Sequence, residues 1–560
     1  MKKVISLWNK LSHGKLWVKL AVGLGIALVL GFVSFYITLP PINVRSVSFW
    51  GWLTFTVAVG CLPFYGFRME RQTRIKKGIV NTRVEEKHIN IDKRMLIPVA
   101  VPVAVILLGT VISSTFFNAR RYAAIIDVDS YDFAEDMPES TEITNIALMD
   151  SASAAVFGNR VLGSLSDMVS QYTVSDYYTQ INYQRSPKKV SNLEYDGFFK
   201  WLGNRERGIP GMVMVDPVKA GAEYMAFSEP MHYSESGFFG DDLERRLRFL
   251  YPTKIFHSIS FEIDDFGNPY YIVACGKPRV GLFGAEDISD VIIFDPVKGE
   301  GQLMKVSDTP SWVDIVYTGE LAIEKYNWHG TLSGGFFNSI IGNVGCKMAT
   351  DDFGYIVIGD DVWYFTGVTS VVSNDKSNIG FILSNARTGE YKFYPVIGAE
   401  EHSAMDAAEG EVQEKGYVAS FPSLVNISGE PTYIMVLKDA AGVVKLYALV
   451  NVENYSIVAT GSTQVETMNA YKKLLRESGV SVEDSTESAT VTVQEVRIIT
   501  LSGVATVYIT ADTGEVYKGY LENDERLILI GKGHKLTVEY SKTELENIYL
   551  IEDWDFDTDK

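Results

Sequence analysis

Histidine and cysteine are scarce in this chain, seven and three residues in 560. Cys61 lies in an apolar run, so only Cys275 and Cys346 remain for a bridge, and a disulfide scaffold is excluded. Two free, packed thiols are expected instead, because unpaired cysteine is commonly buried. The histidines are scattered without an HExxH pair, which removes the usual zinc-hydrolase signature. A glycine-rich phosphate loop with a following strand lysine is missing, and so is an HRD-type loop. The DDFG strings at Asp264 and Asp351 therefore do not make a kinase. GxSxG is absent as well. The nearest string, GTLSGG from Gly330 beside His329, has the wrong spacing for a nucleophile turn and reads as a glycine-rich loop.

Charge of one sign is short in each part of the chain. Residues 1–117 hold 15 Lys and Arg against 4 Asp and Glu, a net +11. Residues 118–560 hold 36 against 66, a net −30, which disfavours nucleic acid as a partner. With 46% hydrophobic and 22% charged residues, the chain has the composition of a folded protein of several units.

Long apolar runs are present at the start. Leu20–Leu39, Val47–Phe67 and Met95–Asn118 carry no Asp, Glu, Lys or Arg. Each is read as a helix crossing a hydrocarbon layer of ~30 Å, giving a three-span anchor over 1–119. Gly23, Gly25 and Gly31 in the first run suit close helix contact. Lys2, Lys3, Lys10, Lys15 and Lys19 precede the first run, and nine Lys and Arg lie from Arg68 to Arg94. By the rule that cations stay in the cytoplasm, the N-terminus is cytoplasmic and the large C-terminal part extracytoplasmic. Arg120 and Arg121 are the one contrary signal.

The fold class expected beyond this transmembrane α-helical anchor is a multi-unit α+β region, mainly antiparallel β. A membrane-proximal α+β domain spans 120–255, with a strand at Ala123–Val128 and helices at Leu148–Met168 and Asp241–Leu250. In the second of these helices Glu244 and Arg248 pair at i,i+4, and Pro252 ends it. A β-rich domain with repeated hairpins spans 256–480. Its units are apolar strand, Gly-bearing polar turn and second strand, starting at Val291, Phe381 and Tyr433, with a further copy at Val507. Helices are read at Glu400–Gln413 and Gln464–Glu477, the latter with a capping box of Thr463 and Glu466. Ser478–Ser488 reads as a linker. A small β-barrel of OB-like form spans 489–555, with strands that include LILI from Leu527, and the tail EDWDFDTDK reads as frayed.

Carboxylates offer the remaining chemistry. Asp351, Asp352, Asp360 and Asp361 form a candidate calcium cluster, since hard oxygen ligands suit that ion, and Asp127, Asp129 and Asp132 form a weaker one. Neither has EF-hand spacing, so a divalent cation is the one cofactor considered. Glu262 with Asp264, or Glu400 with Glu401, are candidate pairs for glycan hydrolysis, to be promoted only by a shared cleft and a raised pKa.

The phrases DSASA at Asp150, FEIDD at Phe261, PSWVDIVY at Pro310, DDVWYFTGVTS at Asp360 and EEHSAMDAAEGEVQ at Glu400 resemble those of a family of large multi-pass envelope proteins of Gram-positive bacteria. The strand-DPVKGE-strand and strand-ARTGE-strand units are similar to PepSY-type modules, which implies a role in restraining proteases outside membranes. No catalytic residue comes with either resemblance. The expectation is a non-enzymatic binding, scaffold or regulatory module whose partners are the lipid bilayer and an envelope protein or cell-wall component. A wall-directed glycan hydrolase, or a sensor subunit of a membrane complex, is the rival.

Overall fold

The structure is a computed structural model, and it describes residues 15–71, 85–91, 96–140, 146, 148–218, 221–372, 377–482, 487–501, 504–521, 524–543 and 547–557. Lys2, Lys3, Lys10 and part of the basic segment 68–94 lie outside these residues. The chain is a mostly antiparallel β-rich protein with apolar helices at its start. It divides into two compact units, one of 1–130, 149–375 and 381–393, the other of 131–148, 376–380 and 394–560.

In the first unit, α1 (Leu16–Thr38) is long and apolar enough to cross a membrane, and little of it is buried. The second apolar run is not a span. Its helix α2 (Val47–Gly60) has 14 residues, about 21 Å at 1.5 Å per residue, against a layer of about 30 Å. The chain then leaves through a 3₁₀ turn at Leu62–Phe64 and a strand at Tyr65–Arg71, which pairs with Glu85–Ile91. The third run is α3 (Leu96–Ser113), bent by 54° into α4 (Thr115–Ala123). Among the described residues there is thus one candidate span, or two if the bent pair counts as one, rather than three.

α1 and α2 pack through small residues. A Cβ on Gly31 would lie 2.8 Å from Thr56, and one on Gly60 would lie 3.1 Å from Ala27 and 3.4 Å from the Gly23 carbonyl. Gly25 faces open space. Trp52 adds a hydrogen bond to the Gly31 carbonyl. The ends of these helices are tied to the β-rich part of the unit. Arg248 donates to the Leu39 carbonyl and Arg45 to that of Pro278, while Ser113 Oγ accepts from the amides of Leu282 and Phe283.

That part contains three sheets. A five-stranded sheet holds Tyr172–Val174, Thr179–Tyr183, Ser186–Tyr195, Ile209–Asp216 and Gly221–Met231. A four-stranded meander runs Ile255–Ile263, Pro269–Val280, Gly284–Asp295, Glu300–Lys305. A six-stranded sheet is built around Asp361–Ser370 and Gly380–Asn385, and its edge is Asp129–Ser130, parallel to Tyr391–Tyr394. Ala123–Val128 is therefore not a strand: the helix runs through Ala123, and only two later residues pair. The helix expected from Leu148 starts at Ser151, capped by Asp150, and buries Ala154, Gly158 and Leu162. Gly158 is without a side chain because a Cβ there would run into the Tyr178 hydroxyl and lie 3.3 Å from Val213.

The two DDFG strings serve different connections. At the first, Asp264 accepts from the amides of Phe266 and Asn268 and shapes a hairpin turn. The second joins Lys347–Ala349 to Gly354–Ile358, which both pair with Asp361–Ser370 rather than with each other.

The second unit pairs a five-stranded sheet centred on Glu430–Lys438 with helices Glu401–Glu411 and Gln464–Glu477. Thr463 caps the latter by accepting from the Glu466 amide. Residues 487–556 form a closed five-stranded barrel. LILI is not one of its strands, since Glu525–Leu529 is a 3₁₀ turn capped by Asp524. The fifth strand is Ile548–Phe556, which takes in the first five residues of the acidic tail read as frayed. Trp554 within it is buried and donates to Asp524 at 2.9 Å.

Candidate functional site

A cavity of about 590 Å³ opens in the first unit where the five-stranded sheet, the meander and the start of the helix Gly319–Leu332 meet. That volume is in the range of small-molecule sites. Its rim carries four carboxylates, Glu235, Asp242, Glu244 and Glu320, and the described residues lining it include no lysine, arginine or histidine. Asp242 and Thr318 sit there because each caps a helix, accepting from the amides of Arg245 and Leu321. Glu235, although open to solvent, is raised above the usual carboxylate range by partial desolvation and then by the charges of Glu194, Glu244 and Asp242.

The floor is polar and under-satisfied. Gln180 and Tyr271 are 3% and 2% exposed, and both contribute to the lining of the cavity. Neither the Gln180 Nε2 nor the Tyr271 hydroxyl has a partner, and the same is true of the Tyr178 hydroxyl. A buried donor left unpaired costs about 1–3 kcal/mol, and these three lie sealed beneath the cavity surface, the Tyr178 hydroxyl turned toward Gly158 of the helix Ser151–Gly163. Burial raises Tyr178 and Tyr355 to about 12, keeping these phenols neutral. Behind the wall, the ammonium of buried Lys189 lies over the Tyr355 ring at 5.2 Å, and burial lowers it to about 8.

Immediately behind the lining residues Ser260 and Ile315 is a second carboxylate pair. Glu262 is fully buried and accepts from the amides of Asp314 and Ile315 at 2.8 and 3.0 Å. Asp314 accepts from the amide of Asn182. Burial pushes both upward, and for Glu262 the Asp314 charge adds to it.

No protein-family model matches this chain, and no curated protein matches it. Among solved structures, the crystal structure of an ACO/RPE65 chimera shows 9% identity over 66% of this chain, with a TM-score of 0.12. The chain spans 59% of that protein's length, and a likeness this low carries no argument.

The residues singled out in the sequence are placed otherwise. Glu262 is enclosed in backbone amides and Asp264 is consumed by its turn, so they do not face each other across a cleft. In the second unit Glu400 takes the N-cap position and Glu401 is buried. Asp361 is engaged by Arg387 and Asn385, and Asp351, Asp352 and Asp360 are exposed on connections. Among the described residues no three His, Cys, Asp or Glu side chains converge on one point. Ser333 bonds back to the His329 carbonyl and His329 Nδ1 faces the Ala123 carbonyl, so they do not form a nucleophile and its base.

All three cysteines are free and buried, and burial raises the Cys275 thiol to about 12. A water-soluble disulfide reagent is accordingly expected to label none of them in the native protein and all three after unfolding. Rapid labelling of Cys275 in the native state would contradict this packing.

The pocket itself escaped sequence reasoning. Gln180, Tyr271, Glu235 and Glu320 lie far apart in the chain and share no motif. The one local signal was the pair of capping residues, Asp242 and Thr318.

Proposed function

We propose that this chain is a membrane-anchored, non-enzymatic binding module of the cell envelope, and that its ligand-recognition site is the acidic, tyrosine-lined pocket of the first unit. The observation that carries the proposal is a cavity of about 590 Å³ with four carboxylates and, among the described residues lining it, no lysine, arginine or histidine. The ligand that fits brings a protonated amine to the carboxylates and hydroxyl groups to the polar lining of Ser175, Thr179, Asn192 and Thr318, the chemistry of an amino sugar. An extracytoplasmic position supports a wall-derived source. The charge of 1–117 supports that position. Resemblance to Gram-positive envelope proteins supports the same setting.

The barrel of the second unit is read as OB-like. Its strand order is first, second, third, fifth, fourth, with the third and fifth parallel and the first and fourth closing it. That is the arrangement expected of a module that presents a binding face.

The test compares glucosamine, N-acetylglucosamine and glucose by calorimetry on the full chain in nanodiscs. Glucosamine is expected to bind at least tenfold more tightly than glucose, with a loss of about fivefold in Glu244→Gln. Gln180→Met removes an unpaired buried amide and is expected to raise stability by about 1 kcal/mol. If no sugar binds, the pocket is not the site. Consumption of an amino-sugar oligomer would instead favour hydrolysis, with Glu235, raised and beside Glu244, as the acid.

A further inference from the structure

We infer that the loop Phe336–Val344, whose Asn338–Gly342 form a π-helical turn, is together with Phe116 and Phe117 a wedge seated in the headgroup and upper acyl region of a phospholipid bilayer, beside the point where α3 leaves it. This rests on the reading of α3 as a membrane helix and not on the pocket.

α4 is two-faced. Ala119, Tyr122 and Ala123 are buried, the Tyr122 ring lying 5.1 Å from that of Trp328. Phe116 and Phe117 are 49% and 65% exposed, continuous with exposed Val111 and Ile112 on the last turn of α3. The Phe116 ring also meets those of Phe336 and Phe337 at 5.0 and 6.0 Å. From there the loop presents Phe337, Ile340, Ile341 and Val344 outward at 59–80% exposure. Contiguous large apolar side chains on a loop are a liability in water and mark an interaction surface.

The loop is built to leave water. Asn338 turns its amide inward, donating to the Val344 carbonyl and accepting from the Val344 amide at 3.0 and 3.1 Å. Ser339 Oγ donates to the Phe336 carbonyl, and the amides of Ser339, Asn343 and Cys346 bond to the carbonyls of Gly335, Asn338 and Asn343. Main-chain groups satisfied from within are what a segment needs beside lipid. One turn beyond the phenylalanines, Arg120 and Arg121 are exposed. Cations at that depth pair with anionic headgroups. This accounts for two arginines that run against the charge rule for topology. Continuity with α3 and these cations select lipid over a second copy of the chain as the occupant.

The test uses the full chain in phosphatidylcholine–phosphatidylglycerol nanodiscs, with Cys61, Cys275 and Cys346 changed to alanine and a nitrobenzoxadiazole label at Ile341→Cys, Leu107→Cys or Phe266→Cys. The label at 341 is expected to be quenched several-fold more by lipid spin-labelled at acyl carbon 5 than at carbon 12. At 107 the order is expected to reverse, and at 266, which is 89% exposed, neither lipid should quench. Quenching at 107 without quenching at 341 overturns the wedge and leaves the anchor standing. Absence of quenching at 107 overturns the anchor, and the wedge with it. Blue-shifted emission at 341 with energy transfer between copies, but no lipid quenching, would make the surface a protein interface instead. Should the cysteine-free protein not fold, a genetically encoded fluorescent residue at 341 gives the same readout with the native thiols in place.

Discussion

Raising the pH from 5 to 8 is expected to destabilise the first unit, and Glu262→Gln to remove the share of that dependence that Glu262 carries, leaving the share of Asp314. Glu262 is fully buried beside Asp314, and both are raised by burial. A carboxyl raised in the folded state holds its proton where the unfolded chain has already released it. The native state then binds more protons across the window above the ordinary value near 4.5, and stability falls as pH rises through it. Each tenfold change in proton affinity is worth about 1.4 kcal/mol, so the wild type is expected to lose roughly 1–3 kcal/mol over this range. Denaturant unfolding of wild type and Glu262→Gln at both pH values, taken as a difference, cancels other titrating groups. Equal slopes for the two proteins would show that Glu262 is not the proton-holding group. At any pH, Glu262→Ala leaves the Asp314 and Ile315 amides without their acceptor and is expected to cost about 3 kcal/mol.

Trp554→Ala is expected to unfold the barrel of the second unit. Trp554 is 5% exposed, its indole donates to Asp524, and its ring lies 5.2 Å from that of Phe556. Truncating a buried tryptophan costs about 3–5 kcal/mol, a large fraction of what a barrel of this size commands. Hydrogen exchange on the full chain should show loss of protection across 487–557, with the sheet around Val213 unchanged. Retained protection at Val507 and Leu536 would mean that the strand Ile548–Phe556 is dispensable.

That strand illustrates what local reading misses. EDWDF has the acidity of a solvated tail, and LILI has the composition of a strand. In the fold, Asp553–Phe556 alternates between solvent and core within a barrel strand, while most of LILI lies in a 3₁₀ turn whose Leu527 plugs the barrel. Hairpins, by contrast, were legible: the turns at Asp295, Asp439 and Thr513 are specified by residues a few positions apart. The apolar runs were legible as apolar, but length alone did not separate a span from α2, because the helix stops at Gly60 while the uncharged run continues to Phe67.

By itself, then, the sequence determined an apolar, cationic start, an acidic β-rich remainder, its hairpin turns and helix caps, and the absence of local catalytic signatures. Each of these depends on side chains within about one turn or one hairpin of each other. Only the tertiary structure decided that Glu262 is enclosed by amides 52 and 53 residues away, that Gln180, Tyr271 and Glu320 share one cavity, and that Phe116 meets Phe336 beside the end of α3. Burial is a property of the whole packed chain, and it turned an ordinary glutamate into a proton-holding group and left a glutamine without a partner.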